Sequence, residues 1–133
     1  MRPNVTEWVL DASAVLAYFS DEPGSDVVED LVGAGALMSA VNWAEVVAKL
    51  VSRGSTDDDT LELMANLDLT VVPFDSDAAW EAGRLIRVTG PYGLSLGDRA
   101  CLGLARARRC PVATADRAWA NIGLDVEIRL IRT

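Results

Sequence analysis

The feature that most constrains this fold is a set of short apolar runs that do not alternate with polar residues. Trp8-Val9-Leu10, Ala36-Leu37-Met38 and Pro111-Val112-Ala113 are apolar at every position. A strand with one wet face alternates with period two, whereas a strand covered on both faces does not. Between these runs lie longer stretches with helical spacing. Trp8–Leu10 reads as a buried strand ending in Asp11-Ala12-Ser13 and feeding a helix over Ala14–Phe19. Asp21-Glu22-Pro23-Gly24 is a turn. Ser25–Val32 sets Val27, Val28, Leu31 and Val32 against Asp26, Glu29 and Asp30, an amphipathic helix. Ala36–Ser39 is a second strand. Val41–Ser52 is a helix closed by Arg53-Gly54, where glycine suits the left-handed cap. Thr56 and Asp59 stand at capping-box spacing and open a helix running to about Asn66. Leu69–Phe74 is a third strand, Asp75–Val88 a helix and Gly90-Pro91-Tyr92-Gly93 a loop. Ser95–Arg108 is another helix, with capping-box spacing from Ser95 to Asp98. Pro111–Thr114 is a fourth strand, Asp116–Ala120 a short helical turn and Val126–Ile131 a last strand.

This alternation predicts one α/β domain over residues 1–133, with a mostly parallel sheet sandwiched between helices. Half of the 133 residues are hydrophobic, enough for one core. In such sheets ligands sit at the carboxyl ends of the strands. Composition then narrows the chemistry. The chain has no histidine. That excludes Ser-His-Asp and Cys-His schemes, histidine-ligated zinc and an imidazole base. Cys101 and Cys110 are too few for an all-cysteine zinc site and read as buried thiols of a cytoplasmic protein. Met1-Arg2-Pro3-Asn4, followed by Glu7, carries no secretory pattern, and no apolar run is long enough to cross a bilayer.

Four acids stand where the chemistry is expected. Asp11 ends the first strand, Glu45 lies inside the third helix, Asp98 is in the first turn of Ser95–Arg108, and Asp116 follows the fourth strand. Each has a structural alternative. Asp11, Asp98 and Asp116 suit helix caps or turns, and Glu45 with Lys49 suits an i,i+4 ion pair. The segment Val-Asn-Trp-Ala-Glu-Val-Val-Ala-Lys-Leu-Val surrounds Glu45 with apolar residues, so the sequence predicts a buried carboxylate. Such a group needs a partner or a cation. Oxygen-only ligands suit Mg2+ or Mn2+.

Val9-Leu10-Asp11-Ala12-Ser13-Ala14, Val41-Asn42-Trp43-Ala44-Glu45-Val46, Leu94-Ser95-Leu96-Gly97-Asp98-Arg99-Ala100 and Ala113-Thr114-Ala115-Asp116-Arg117-Ala118-Trp119 together resemble the PIN-domain family. The likeness extends to its VapC-type ribonuclease toxins and covers essentially the whole chain. It implies a parallel five-stranded sheet and a metal site formed by Asp11, Glu45, Asp98 and Asp116. It implies Ser13 and Thr114 as supporting hydroxyls. It also implies an RNA substrate, a cognate antitoxin and a homodimer, with no membrane partner. A phosphoacceptor protein is the less favoured enzyme, because Asp11-Ala12-Ser13 lacks a second acid two positions on. A non-catalytic RNA- or protein-binding module with a structural ion is the other alternative.

The net charge of -8 opposes passive binding of nucleic acid. Its distribution is uneven. Residues 1–66 carry 12 acids and 3 bases, whereas residues 67–133 carry 8 acids and 9 bases. Arg84, Arg87, Arg99 and Arg117 are candidates for phosphate contacts, since guanidinium pairs with phosphate in a bidentate manner. Asp57-Asp58-Asp59 is instead explained by the dipole of a first helical turn. Trp8 and Trp119 read as packing residues. Trp43 and Trp80 read as core or as part of a partner groove, and Trp80 shares a face with Arg84 and Arg87.

Overall fold

Val9 and Leu10 are adjacent in the chain and belong to different cores. The computed structural model, which describes residues 7–132, places them in β1 (Trp8–Leu10), the central strand of a five-stranded sheet. Successive strand side chains leave on opposite faces. Val9 joins Leu37, Leu102, Val112 and Trp119 on one face. Leu10 joins Val15, Met38, Val46 and Ala113 on the other. Both faces are dry, which is why these runs do not alternate.

From β1 the chain passes through α1 (Ala12–Phe19) and α2 (Ser25–Ala34) to β2 (Ala36–Ser39). It continues through α3 (Ala40–Ser52) and α4 (Asp57–Ala65) to β3 (Thr70–Val72). Helices α5 (Ser76–Arg84) and α6 (Ile86–Thr89), a 3-10 turn (Gly90–Tyr92) and α7 (Leu96–Arg108) lead to β4 (Val112–Thr114). A second 3-10 turn (Arg117–Asn121) precedes β5 (Ile128–Leu130). The spatial order is β3-β2-β1-β4-β5, and every neighbouring pair is parallel. The winding therefore reverses between β1 and β4. That reversal opens a crevice at the carboxyl ends of the two strands, where α/β sheets bind ligands.

The structure bears out the expected single α/β fold with its parallel sheet. The differences lie at element ends. Helix α1 begins at Ala12, because the Asp11 side chain caps it by accepting from Ala14 N–H. The helix expected over 75–88 breaks at Leu85, whose carbonyl accepts from Val88 N–H, Thr89 N–H and the Thr89 hydroxyl. The third and fifth strands are shorter than expected, because each edge strand pairs with a single neighbour. Cys110 is half-buried rather than buried. The segment Met1-Arg2-Pro3-Asn4 lies outside the described residues. Among the described residues no helix is long and apolar enough to cross a membrane.

Two helix ends show how local chemistry sets boundaries. After α3, Ser55 N–H donates to Leu50 O and Gly54 N–H to Val51 O, both at 3.0 Å, with Gly54 at φ 97°. This paired closure needs a left-handed residue, and glycine adopts that conformation without a Cβ clash. Helix α7 ends similarly, with Cys110 N–H on Ala105 O at 2.9 Å, yet Arg109 holds the left-handed position at φ 54°. Gly24 is different again. Its φ is 99°, and a Cβ there would fall 2.7 Å from the Ile131 carbonyl oxygen. In urea denaturation, Arg109→Gly stabilises the protein by about 1 kcal/mol. Gly24→Ala destabilises it by more than about 1 kcal/mol, because strain and clash add.

Candidate active site

The carboxyl end of β1 delivers Asp11 into the crevice, and the chain hydrogen-bonds it on all sides. Its Oδ1 accepts from Ala14 N–H at 2.9 Å. Thr114, at the end of β4, donates its hydroxyl to Oδ2 at 2.6 Å. The Ser13 hydroxyl lies 2.8 Å from both carboxylate oxygens. Ser13 Oγ and Thr114 Oγ1 are 3.3 Å apart, and Ser13 Oγ also accepts from Ala115 N–H. Asp11 is 3 % exposed and Thr114 is fully buried. Both hydroxyls named by the sequence thus hold Asp11 itself.

Helix α7 brings Asp98 to the same edge. Its Oδ2 accepts from Ser95 N–H at 3.0 Å, while Ser95 Oγ accepts from Asp98 N–H at 3.2 Å, a complete capping box. The spacing in sequence therefore has its structural meaning, and the carboxylate is half-buried beside the crevice. Asp98 acts on Asp11 as a like charge.

Glu45 departs from expectation. It lies on the exposed side of α3, with Ala44, Ala48 and Lys49, while Asn42, Val46 and Leu50 form the buried stripe. Alanine reads as apolar in a sequence but is small enough to sit in water, so the apolar wheel did not imply burial. Nor does Lys49 form an ion pair with Glu45 among the described residues; the glutamate turns to its own helix and to α7 instead. Its Oε1 accepts from Asn42 Nδ2 at 2.8 Å, and the same amide donates to Gly97 O at 3.0 Å.

Asp116 stands apart from these three. It is exposed and caps the second 3-10 turn through Ala118 N–H at 2.9 Å. Its backbone N–H donates to Thr114 Oγ1 at 3.0 Å, which links it to Asp11 through one hydroxyl. The charges of the other three all act on Cys101. Burial pushes this thiol well above its ordinary 9.0, and the charges of Asp11, Asp98 and Glu45 push it further. The thiol stays protonated and inert. Among the described residues no group of three or more Asp, Glu or Cys side chains lies close enough together to hold a metal ion. The set fits a divalent cation through its chemistry: all donors are oxygens, and one is a buried carboxylate repelled by a second.

The arginines divide. Arg99 is half-buried and donates from Nη1 to Ala82 O at 2.9 Å, tying α7 to α5. Arg84 pairs with Glu81 at 3.2 Å on the surface. Arg84, Arg87 and Arg106 line one surface groove with Leu124 and Asp125. Arg117, beside Asp116, is exposed. The residues the sequence reading missed are Asn42 and Gly97. An asparagine in a helix, three positions before a candidate acid, was the available signal, since asparagine is a poor interior helix former.

Burial pushes the Asp11 carboxyl from 3.8 up to about 6, against the lowering effect of bonds from Thr114, Ala14 and Ser13. The folded protein then binds this proton more tightly than the unfolded chain. The contribution of Asp11 to stability is most favourable below 3.8 and declines until the pH passes about 6. Roughly 3 kcal/mol is at stake. In EDTA, the stability of Asp11→Asn relative to wild type therefore rises between pH 4 and pH 7, by thermal or urea unfolding. Thr114→Val removes a bond that favours the carboxylate and moves the midpoint of that change to higher pH.

Comparison with known proteins bears on the fold. No curated protein matches the chain. Solved structures do. DNA-bound VapBC from Salmonella typhimurium matches with a TM-score of 0.74 at 16% identity, over 95% of this chain and 98% of that one. VapBC2 from Rickettsia felis, bound to a promoter fragment, matches with a TM-score of 0.71 at 14% identity, over 93% and 98%. VapC20 from Mycobacterium tuberculosis, a sarcin–ricin-loop-cleaving toxin, matches with a TM-score of 0.67 at 13% identity, over 90% and 98%. At these identities the likeness is one of fold. The PIN domain family model matches residues 8–124 and takes in all four acids at the sheet's carboxyl edge. By that match, the chain belongs to the PIN domain family.

Proposed function

We propose that the chain is a metal-dependent endoribonuclease and the toxin of a toxin–antitoxin pair. The observation that carries this reading is the buried Asp11 carboxylate, held by Thr114 and Ser13 at the sheet's switch point with Asp98 as a repelling neighbour. A fold alone needs no such charge there. Family membership and the toxin identities of the structural neighbours support the same reading.

Asp11, Asp98 and Glu45 would hold the ion, with Asp116 completing the site directly or through water. A bound Mg2+ or Mn2+ activates water and offsets charge on the phosphoryl oxygens. The chain's own residues supply the rest. Thr114 and Ser13 hold Asp11 in one orientation, so a ligand oxygen is presented without rotamer search. Asp98, fixed by its capping box, meets it from α7. Arg117 stands exposed at the same edge for a backbone phosphate, and Arg84 and Arg87 supply positive charge to a second groove. Arg99 is better read as a structural tie. No imidazole is needed in this scheme, which suits a chain without histidine.

The partners follow from the same reading. Leu61 on α4 is 69% exposed and Trp80 on α5 is 71% exposed, with Ile86 at 50%. An antitoxin partner is supported by the toxin–antitoxin complexes among the structural neighbours, and a homodimer belongs to the same reading. A cytoplasmic location fits an RNA-cleaving toxin. A non-catalytic module with a structural ion is the second reading. The capping bonds that already satisfy Asp98 and Asp116 favour it.

The test is incubation of the protein with structured RNA in Mg2+ or Mn2+. Cleavage is expected in either metal, lost in EDTA and reduced at least ~100-fold in Asp11→Asn. Cleavage that persists in EDTA contradicts the metal mechanism. Mn2+ binding without cleavage by wild type favours the non-catalytic module.

A further inference from the structure

The Glu45 side chain has three rotatable bonds and lies on an exposed helix face. Left alone, it would sample many positions. Two residues outside the acid set deny it that freedom. Asn42, one turn earlier on α3, is only 1% exposed, and its side-chain amide bridges Glu45 Oε1 at 2.8 Å and the Gly97 carbonyl at 3.0 Å. One amide thus fixes the carboxylate and ties it to the first turn of α7, the turn that carries Asp98. The amide's own oxygen is buried and finds no partner among the described residues. An unpaired buried acceptor is unfavourable. The fold tolerates it because the donor side is committed to two acceptors.

Gly97 acts from the opposite side. Its backbone is helical, so no unusual conformation calls for glycine. Space does. A Cβ at Gly97 would fall 2.5 Å from Glu45 Oε1 and closer still to Oε2. The carboxylate lies across the bare α-carbon, in the position a methyl group would take. Glycine is a weak helix former and is buried here, so its presence inside α7 disfavours the helix and leaves room for Glu45.

We infer that Asn42 and Gly97 are positioning residues, which together place the Glu45 carboxylate against the first turn of α7. This rests on the metal-nuclease reading for its functional consequence, and on geometry alone for the placement. Residues that orient a metal-binding group change affinity and turnover without touching the ion.

The experiment compares wild type, Asn42→Ala, Gly97→Ala, Glu45→Ala and the double variant Asn42→Ala/Glu45→Ala. Mn2+ alone is titrated by calorimetry, RNA cleavage is followed at saturating Mn2+, and melting is measured in EDTA. Asn42→Ala and Gly97→Ala each weaken Mn2+ binding about 10-fold and lower kcat by ~10–100-fold. KM for RNA changes little. Gly97→Ala melts no lower than wild type, because alanine favours the helix while the carboxylate is displaced. In the Glu45→Ala background, Asn42→Ala has no further effect on Mn2+ binding. Equal losses with and without Glu45, or a lowered melting temperature with unchanged Mn2+ binding and kcat, overturn the inference. If wild type neither binds Mn2+ nor cleaves RNA, the nuclease reading fails by itself. The placement is then judged by NMR of the metal-free protein. The Asn42 side-chain amide resonances shift in Glu45→Ala and in Gly97→Ala, and unshifted resonances overturn the inference.

Discussion

A carboxylate buried at the end of the central strand organises this molecule. Asp11 is excluded from water, yet it receives hydrogen bonds from α1, from Ser13 and from the neighbouring strand. Each bond also does structural work. The Ala14 bond starts α1, the Thr114 bond ties β1 to β4 at their carboxyl ends, and Ser13 joins both to the chain at Ala115. The bonds offset only part of the desolvation penalty, since the carboxyl still titrates near 6. Groups with strongly shifted titration cluster at functional sites, which is consistent with the reading of Asp11 as a site acid.

The fold was legible where physics is local. Unbroken apolar runs identify strands covered on both faces, and Val9 and Leu10 show why, each feeding its own core. Capping spacing located α4 and α7, because a cap is a contact between residues three apart. What was illegible depended on distant parts of the chain. The break at Leu85 follows Gly83 by two residues, but a lone glycine inside a helical run does not by itself fix a break. Glu45 looked buried because alanines surround it on the wheel, and only the packing of α3 shows which side faces water. Arg99 follows a site acid in sequence, yet the carbonyl it reaches belongs to Ala82, seventeen residues away.

The candidate site shows the same division. Glu45 was recognisable from its setting inside α3, and Asp11, Asp98 and Asp116 from their places at strand ends and helix starts. Their second identity, as caps, was equally visible, and the structure realises both at once. Asp11, Asp98 and Asp116 each cap a helical element while standing at the carboxyl edge. Capping fixes a carboxylate without neutralising it, so the two roles are compatible. The positive ends of α1 and α7 ease the burial of nearby negative charge. Most of the acids lie in residues 1–66 with Asp11 and Glu45, whereas most of the arginines share residues 67–133 with Asp98 and Asp116.

The central claim is that this edge is built around a divalent cation. The most direct measurement is the melting temperature of the wild-type protein as a function of Mn2+ concentration at neutral pH. A ligand that binds only the folded state raises the midpoint with its concentration. The account predicts a steady rise through the micromolar and millimolar range, absent in Asp11→Asn. A wild-type midpoint indifferent to millimolar Mn2+, or one that rises equally in Asp11→Asn, contradicts it.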